Sequence, residues 1–68
     1  MQTIYIWRDA VDPRTINAGI KLYGTYILLF SLASHDQEKI IGTNIVDAVF
    51  KLNPGVPLAV TITAKVGE

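Results

Sequence analysis

Apolar and polar residues alternate most regularly near the end of the chain. From Leu58 to Val66 every second residue is apolar, and threonine or lysine fills most of the positions between. A two-residue period is that of a β-strand with one buried face. The pattern therefore predicts a strand over 58–66, whose apolar face needs another layer to cover it.

Two earlier segments have the same pattern. The first, 3–11, has two apolar faces: Ile4 and Ile6 on one side, and Tyr5 and Trp7 on the other. The Asp-Pro-Arg-Thr sequence that follows has the composition of a type I turn. A second alternating segment, 16–24, then stops at a glycine. Both segments are predicted to be strands.

Residues 25–34 are more apolar. Tyr26, Leu28, Phe30 and Leu32 alternate on one predicted face, while Ile27 and Leu29 make the other face apolar too. A run that is apolar on both faces is typical of a central strand. The polar stretch that follows, His35 to Glu38, is interpreted as a turn.

Segments 13–23 and 44–52 also fit helices. Asp12 and Asn44 are possible N-caps, and Pro13 would suit the first helical position. Two helices there would give the order β-α-β-β-α-β, a ferredoxin-like α+β fold. Alternatively, residues 46–52 alternate as a strand and form a hairpin with the last strand across Asn-Pro-Gly.

Composition favours strands. Ile, Val and Thr supply 21 of the 68 residues, and β-branched side chains prefer strands. Gly19 and Gly42 would each cost about 1 kcal/mol inside a helix. The chain is thus predicted to be a single domain, 1–68, mainly β: a small antiparallel sandwich or partly open barrel of five or six short strands.

A domain of this size has a marginal core. Half of its residues are apolar and only 18% are charged, and small domains usually rely on disulfides, a metal or oligomerisation. The chain has no cysteine and a single histidine. We therefore expect a homo-oligomer or a protein partner. The predicted interface residues are Trp7, Tyr5, Ile27, Leu29 and Val49.

The formal net charge is zero, which disfavours a nucleic-acid binder. The first residues lack the basic and apolar regions of a signal peptide. The most apolar segment, of about a dozen residues, is shorter than the roughly 20 that a membrane helix needs. The expected location is the cytoplasm or a particle assembled inside a cell.

Few residues in the sequence could form a catalytic or ligand-binding site. His35 lies beside Asp36 and could act as a base or a metal ligand, but an exposed turn is the better interpretation. Asp9 and Asp12 could bind a cation, although turn and cap roles fit their spacing better. Gly-Thr-Asn at 42–44 lacks the features of a phosphate loop and indicates a bulge or a bend. No catalytic, cofactor-binding or metal residue is assigned.

Aromatic and basic residues are close in sequence. They are Tyr5, Trp7, Tyr23, Tyr26 and Phe30, with Arg8, Arg14 and Lys21. Such a set could stack nucleic-acid bases on a small β-barrel, or could anchor a protein interface. The neutral charge favours the interface, and Trp7 is the residue most expected at a contact.

The sequence therefore indicates a non-enzymatic structural or interaction subunit. It would self-associate or dock on a larger assembly, for instance as a virion or capsid accessory protein. The alternatives are a small single-stranded nucleic-acid-binding barrel, and an inhibitor that covers a site on a partner protein.

Overall fold

Four strands and two helices form the part of the chain that the structure, a computed structural model, describes: residues 3–61. The elements in chain order are β1 (Ile4–Arg8), β2 (Ile16–Leu22), β3 (Thr25–Leu32), α1 (Ser34–Ile41), α2 (Thr43–Phe50) and β4 (Leu58–Val60). The strands form one antiparallel sheet in the order β3-β2-β1-β4. The mainly β, open-sheet prediction is confirmed, but the sheet has four strands instead of five or six.

β1 and β2 are joined by a loop that hydrogen bonds to the carboxylates of Asp9 and Asp12 hold in place. The backbone N–H groups of Val11 and Asp12 donate to Asp9 Oδ2 at 3.0 and 2.9 Å. The N–H of Thr15 donates to the Asp12 carbonyl at 2.9 Å. The turn predicted over 12–15 is thus present, and β2 follows it directly, so the alternative helix over 13–23 is wrong.

β2 and β3 are joined by a two-residue turn, Tyr23-Gly24, with positive φ angles of 49° and 79°. Two positive φ angles define a type I′ turn, whose twist matches that of a β-hairpin. This tight turn fixes the register of the hairpin, with Leu22 opposite Thr25.

A β-bulge interrupts the pairing of β2 with β3. Ala18 pairs with Phe30, but the next residue, Gly19, pairs with Leu28, so that Leu29 is an extra residue. The bulge reverses the alternation along β3, because Phe30 then lies on the helix side of the sheet and Leu28 on the opposite side. The single face predicted for the even-numbered residues is therefore wrong.

The predicted position of β3 in the sheet is also wrong. Its apolar character on both faces predicted a central strand, yet it lies at one edge of the sheet and pairs, within residues 3–61, with β2 alone. Its apolar residues are consequently left at the surface instead of being enclosed between two strands.

Gly19 permits this arrangement. A Cβ atom at this position would lie 2.0 Å from the Ile27 carbonyl oxygen and 3.0 Å from the Trp7 ring. No side chain fits so close to a backbone carbonyl. The bulged strand can therefore approach β2 only because residue 19 is glycine.

Residues 34–50, predicted as a polar turn followed by a strand, form the two helices instead. Gly42, with φ of 89°, ends α1 and precedes α2. The break predicted at 42–44 therefore falls at Gly42, while Thr43 and Asn44 belong to α2. The alternative helix over 44–52 is closer to the structure, although α2 begins at Thr43 and its N-cap is Gly42 instead of Asn44.

The helices cover one face of the sheet and enclose the core. Val46 and Val49 of α2 and Ile41 of α1 are buried at helical spacing, which is how an amphipathic helix covers a sheet. The buried apolar residues are Ile6, Ile16, Ala18, Leu32, Ile41, Val46 and Val49. The uncovered side of the sheet is called the open face below.

Two polar side chains attach the helices to the sheet. Buried Gln37 of α1 donates through Nε2 to the carbonyl oxygens of Arg14, at 2.7 Å, and Leu32, at 3.2 Å. Arg8 of β1 donates to the Leu52 carbonyl just after α2, and its guanidinium lies 5.4 Å from the centre of the Phe50 ring. A cation at this position also complements the negative end of the helix dipole.

β4 follows a turn at 53–56, where the Val56 N–H donates to the Asn53 carbonyl at 3.2 Å. Leu58 and Val60 pair with Ile6 and Ile4 and face the core cluster. The first part of the strand predicted over 58–66, Leu58–Val60, is thus confirmed. Thr61 lies beyond the end of β4, and residues 62–66 lie outside the described residues.

Replacing Gly19 by Ala should destabilise the fold by about 3 kcal/mol or more, or prevent folding, because the new Cβ overlaps a backbone atom that cannot move freely. Urea denaturation followed by Trp7 fluorescence, at one protein concentration, measures the loss. Gly24→Ala is the matched control: it meets no atom within 4 Å and has only the cost of a positive φ, about 1–2 kcal/mol. Equal losses in the two variants would contradict the close approach.

Candidate interaction surface

Three aromatic side chains meet on the open face, and are called the aromatic cluster below: Tyr5 and Trp7 of β1 and Tyr26 of β3. The ring centre of Tyr26 lies 5.1 Å from that of Tyr5, edge to face, and 6.1 Å from that of Trp7. β2 separates their strands, but Gly19 has no side chain to keep the rings apart. The cluster therefore depends on the same glycine as the bulge.

The cluster is not fully buried. Tyr5 and Trp7 are of intermediate exposure, and 36% of Tyr26 is accessible. The Nζ atom of Lys21 lies 5.4 Å from the centre of the Tyr26 ring, at cation–π distance. The open face thus presents a half-buried aromatic platform with one cation at its border.

Four consecutive apolar residues of β3 are called the apolar edge: Tyr26, which also belongs to the aromatic cluster, Ile27, Leu28 and Leu29. Their exposed fractions are 36%, 41%, 52% and 45%. Isolated apolar residues are common on protein surfaces, but a contiguous group is a feature of interaction sites. The edge position adds unpaired backbone groups to this apolar surface.

The predicted interface residues fall in different places. Tyr5 and Trp7 belong to the aromatic cluster, and Ile27 and Leu29 belong to the apolar edge. Val49 is only 1% exposed and packs in the core, because its segment is a helix and not a strand. Leu28 was missed, because its change of face depends on a bulge that the alternating pattern does not reveal.

The rest of the aromatic and basic set is dispersed. Tyr23 is fully exposed in the type I′ turn, and Phe30 packs against the core on the helix side. Arg8 also points to the helix side, and Arg14 lies in the 9–15 loop, where its Nε is 3.4 Å from Asp12. Lys21 is therefore the member of the basic set that adjoins the aromatic cluster.

A polar network continues the open face beyond Trp7. Asn17, which is buried, donates through Nδ2 to Asp9 Oδ1 at 3.0 Å, and Ser31 Oγ donates to Asn17 Oδ1 at 2.8 Å. Each residue comes from a different part of the sheet: the end of β1, β2 and β3. The network holds the three strands in register at the end opposite the hairpin turn.

Both carboxylates of the first loop are occupied by local hydrogen bonds. The Asp12 N–H, then the Asn17 amide and the Val11 N–H, hold the pKa of Asp9 below its ordinary value of 3.8. The Arg14 N–H, first among several donors, likewise lowers the pKa of Asp12. Each carboxylate thus stabilises a turn, as the sequence indicated, and its oxygens are already accepting hydrogen bonds.

His35 lies at the start of α1, not in a turn. Its Nε2 is 3.4 Å from Asp36 Oδ2, and 82% of its side chain is exposed, so it stands on the surface away from the open face. Within residues 3–61 no cluster of three potential metal-ligating side chains occurs. No helix in that range is long and apolar enough to span a membrane.

Comparison of the chain with protein-family models, with curated proteins and with solved structures finds no match.

Asp9 should make stability depend on pH at the acid end. Because its pKa is lower in the folded state, its contribution is fully present above 3.8 and is lost as the pH falls through the folded pKa. Chemical denaturation at several pH values between 7 and 2 measures this decline. In Asp9→Asn the decline of stability with falling pH should be shallower, because the titrating carboxylate is gone. Stability at pH 7 should also be lower, because the new side-chain NH2 group would face another donor, the Nδ2 of Asn17. An unchanged acid limb in that variant would contradict the assignment.

Proposed function

We propose that this chain is a non-enzymatic structural subunit that self-associates through the apolar edge and the adjoining aromatic cluster. The observation that carries the proposal is the position of the apolar residues. The helices cover one face of the sheet, and four of the nine exposed large apolar residues among the described ones are consecutive on the edge strand, from Tyr26 to Leu29.

Edge strands of stable monomers are usually protected by charged residues, prolines or short length. β3 is eight residues long, and Thr25–Leu32 contains no charged residue and no proline. Of these and similar protective features β3 has only a β-bulge, and the bulge begins after Leu28. The segment between the turn and the bulge is therefore open to pairing.

Size and charge support association as well. A domain of about 60 residues buries only about 60% of the surface of its unfolded chain, so its core is marginal. Burying the apolar edge against another molecule would add to that core. A net charge of zero provides no overall repulsion between copies.

The ionisable residues that could have carried chemistry support a non-enzymatic role. The carboxylates of Asp9 and Asp12 hold turns in place, and His35 is an exposed surface residue. His35 lies away from the apolar surface on which the proposal rests, and Asp9 is engaged in the polar network beyond Trp7.

Replacing Leu28 by Ser should weaken self-association by roughly tenfold or more, since each copy loses a half-exposed leucine from the contact. Light scattering after size exclusion, over a concentration series, gives the mass of the wild type and the variant. Val11→Ser is the matched control, because Val11 is 93% exposed in a loop outside the sheet. A wild-type monomer at every concentration would refute the proposal, as would equal effects of the two substitutions.

A second candidate is single-stranded nucleic-acid binding by the open face, favoured by the meeting of three aromatic rings with Lys21. Aromatic residues on a sheet can stack on bases, but such sites also need a basic groove that follows the phosphates. Arg8 and Arg14 lie away from the open face, which makes this candidate the weaker one.

The single tryptophan distinguishes the two candidates. Under the structural proposal, adding an unstructured oligonucleotide at low salt should leave the Trp7 fluorescence unchanged. Stacking of a base on the aromatic cluster would instead quench it, and added salt would reverse the effect. Salt-sensitive quenching would therefore favour the nucleic-acid candidate.

A further inference from the structure

We propose that two copies of the chain associate by pairing their β3 strands edge to edge and antiparallel, with Ile27 opposite Ile27 at the two-fold axis. This inference rests on the proposed self-association and specifies its geometry. The two four-stranded sheets would then form one continuous sheet of eight strands across the described parts of both copies.

The occupant of the edge must be an extended strand. An edge strand presents a row of backbone N–H and C=O groups that only another backbone in the same conformation can satisfy in series. The side chains on both sides of this row are apolar and accessible. A bound strand would thus gain hydrogen bonds from the backbone and burial from the side chains.

A second copy suits this edge because β3 matches itself. Antiparallel pairing of identical strands brings a charged residue near the two-fold axis close to its own counterpart, which is one way that charges on edge strands prevent association. Thr25–Leu32 carries no charged side chain. A two-fold arrangement therefore brings no like charges of β3 together and places apolar residues opposite each other around the axis. It closes at two copies because the same edge is used by both.

The hairpin turn determines which backbone groups of β3 are available for pairing with the second copy. In a two-residue hairpin the residues that flank the turn form a hydrogen-bonded pair, here Leu22 and Thr25. Alternation then directs the backbone groups of Thr25 and Ile27 towards β2, and those of Tyr26 and Leu28 outwards. The bulge ends this regular alternation after Leu28.

In one antiparallel register the outward-directed backbone groups of both Tyr26 and Leu28 form hydrogen bonds with the second copy. Tyr26 pairs with Leu28 of the second copy, and Leu28 with Tyr26 of the second copy, which places Ile27 opposite itself. On the open face, the Tyr26 ring of each copy then contacts Leu28 of the other copy. The apolar surface of the aromatic cluster thereby continues from one copy to the next. On the helix side, the two Ile27 side chains meet.

Cysteine cross-linking tests this register, and the chain is suited to it because it contains no cysteine. Residues opposite each other in a non-hydrogen-bonded antiparallel pair have Cα atoms about 4.5 Å apart, within the range that a disulfide spans. Ile27→Cys should therefore form a disulfide-linked dimer on mild oxidation. The yield is followed by non-reducing electrophoresis.

Tyr23→Cys provides the collision background, since Tyr23 is fully exposed in the turn. We expect Ile27→Cys to cross-link at least tenfold faster than Tyr23→Cys, and Leu28→Cys to be slower than Ile27→Cys. Faster linking at Leu28 would overturn the register. A rate at Ile27 equal to the background would overturn the edge pairing, and the wild-type mass from light scattering would show separately whether self-association persists.

A second variant tests the pairing without oxidation. Ile27→Lys places two like charges at the two-fold axis and should abolish the dimer, while Val11→Lys should leave the mass unchanged. Circular dichroism reports whether each variant is folded. A folded Ile27→Lys protein that still forms the dimer would overturn the proposal, and should it fail to fold, the cysteine variants decide.

Discussion

The close approach of the Ile27 carbonyl to Gly19 is the constraint on which the rest of the sheet depends. It allows β3 to bulge, and the bulge sends Phe30 and Leu32 into the core while Leu28 stays on the open face. The missing side chain at position 19 also leaves room for the rings of Tyr5, Trp7 and Tyr26 to meet across β2. One glycine thus determines both the packing of the core and the character of the surface.

The two faces of the sheet have different roles as a result. On the helix side, apolar residues of all four strands pack against α1 and α2, and Arg8 and Gln37 fix the helices in position. On the open face, the Asp9–Asn17–Ser31 network holds the strands in register at one end, and the apolar residues gather at the other. This separation leaves an ordered apolar surface that does not contribute to the chain's own core.

The sequence predicted the strands in which apolar residues alternate without interruption. It failed where a bulge or a helix departs from that alternation. β1 and the beginning of β4 were predicted because their apolar residues alternate without interruption. α1 was missed because its polar stretch from His35 to Glu38 resembles a turn. For α2 the helix was only the second interpretation, because β-branched residues, which favour strands, occupy helical positions that tertiary packing stabilises. Of the predicted interface residues, Ile27 and Leu29 are exposed and Tyr5 and Trp7 are half-buried on the open face. The exposure of Leu28 depends on the bulge, which the alternating pattern does not reveal, and Val49 was misplaced with its helix.

The bulge has a consequence for insertions and deletions in β3. Leu28 lies on the open face and Phe30 on the helix side, which is the relation of adjacent residues in a regular strand. β3 is therefore an alternating strand that has accepted one additional residue, Leu29. Removing a residue from a strand ordinarily inverts every side chain beyond it, but loss of Leu29 would preserve the face of each remaining side chain. Position 29 is therefore a point in this sheet at which one residue can be lost without inverting the side chains that follow it.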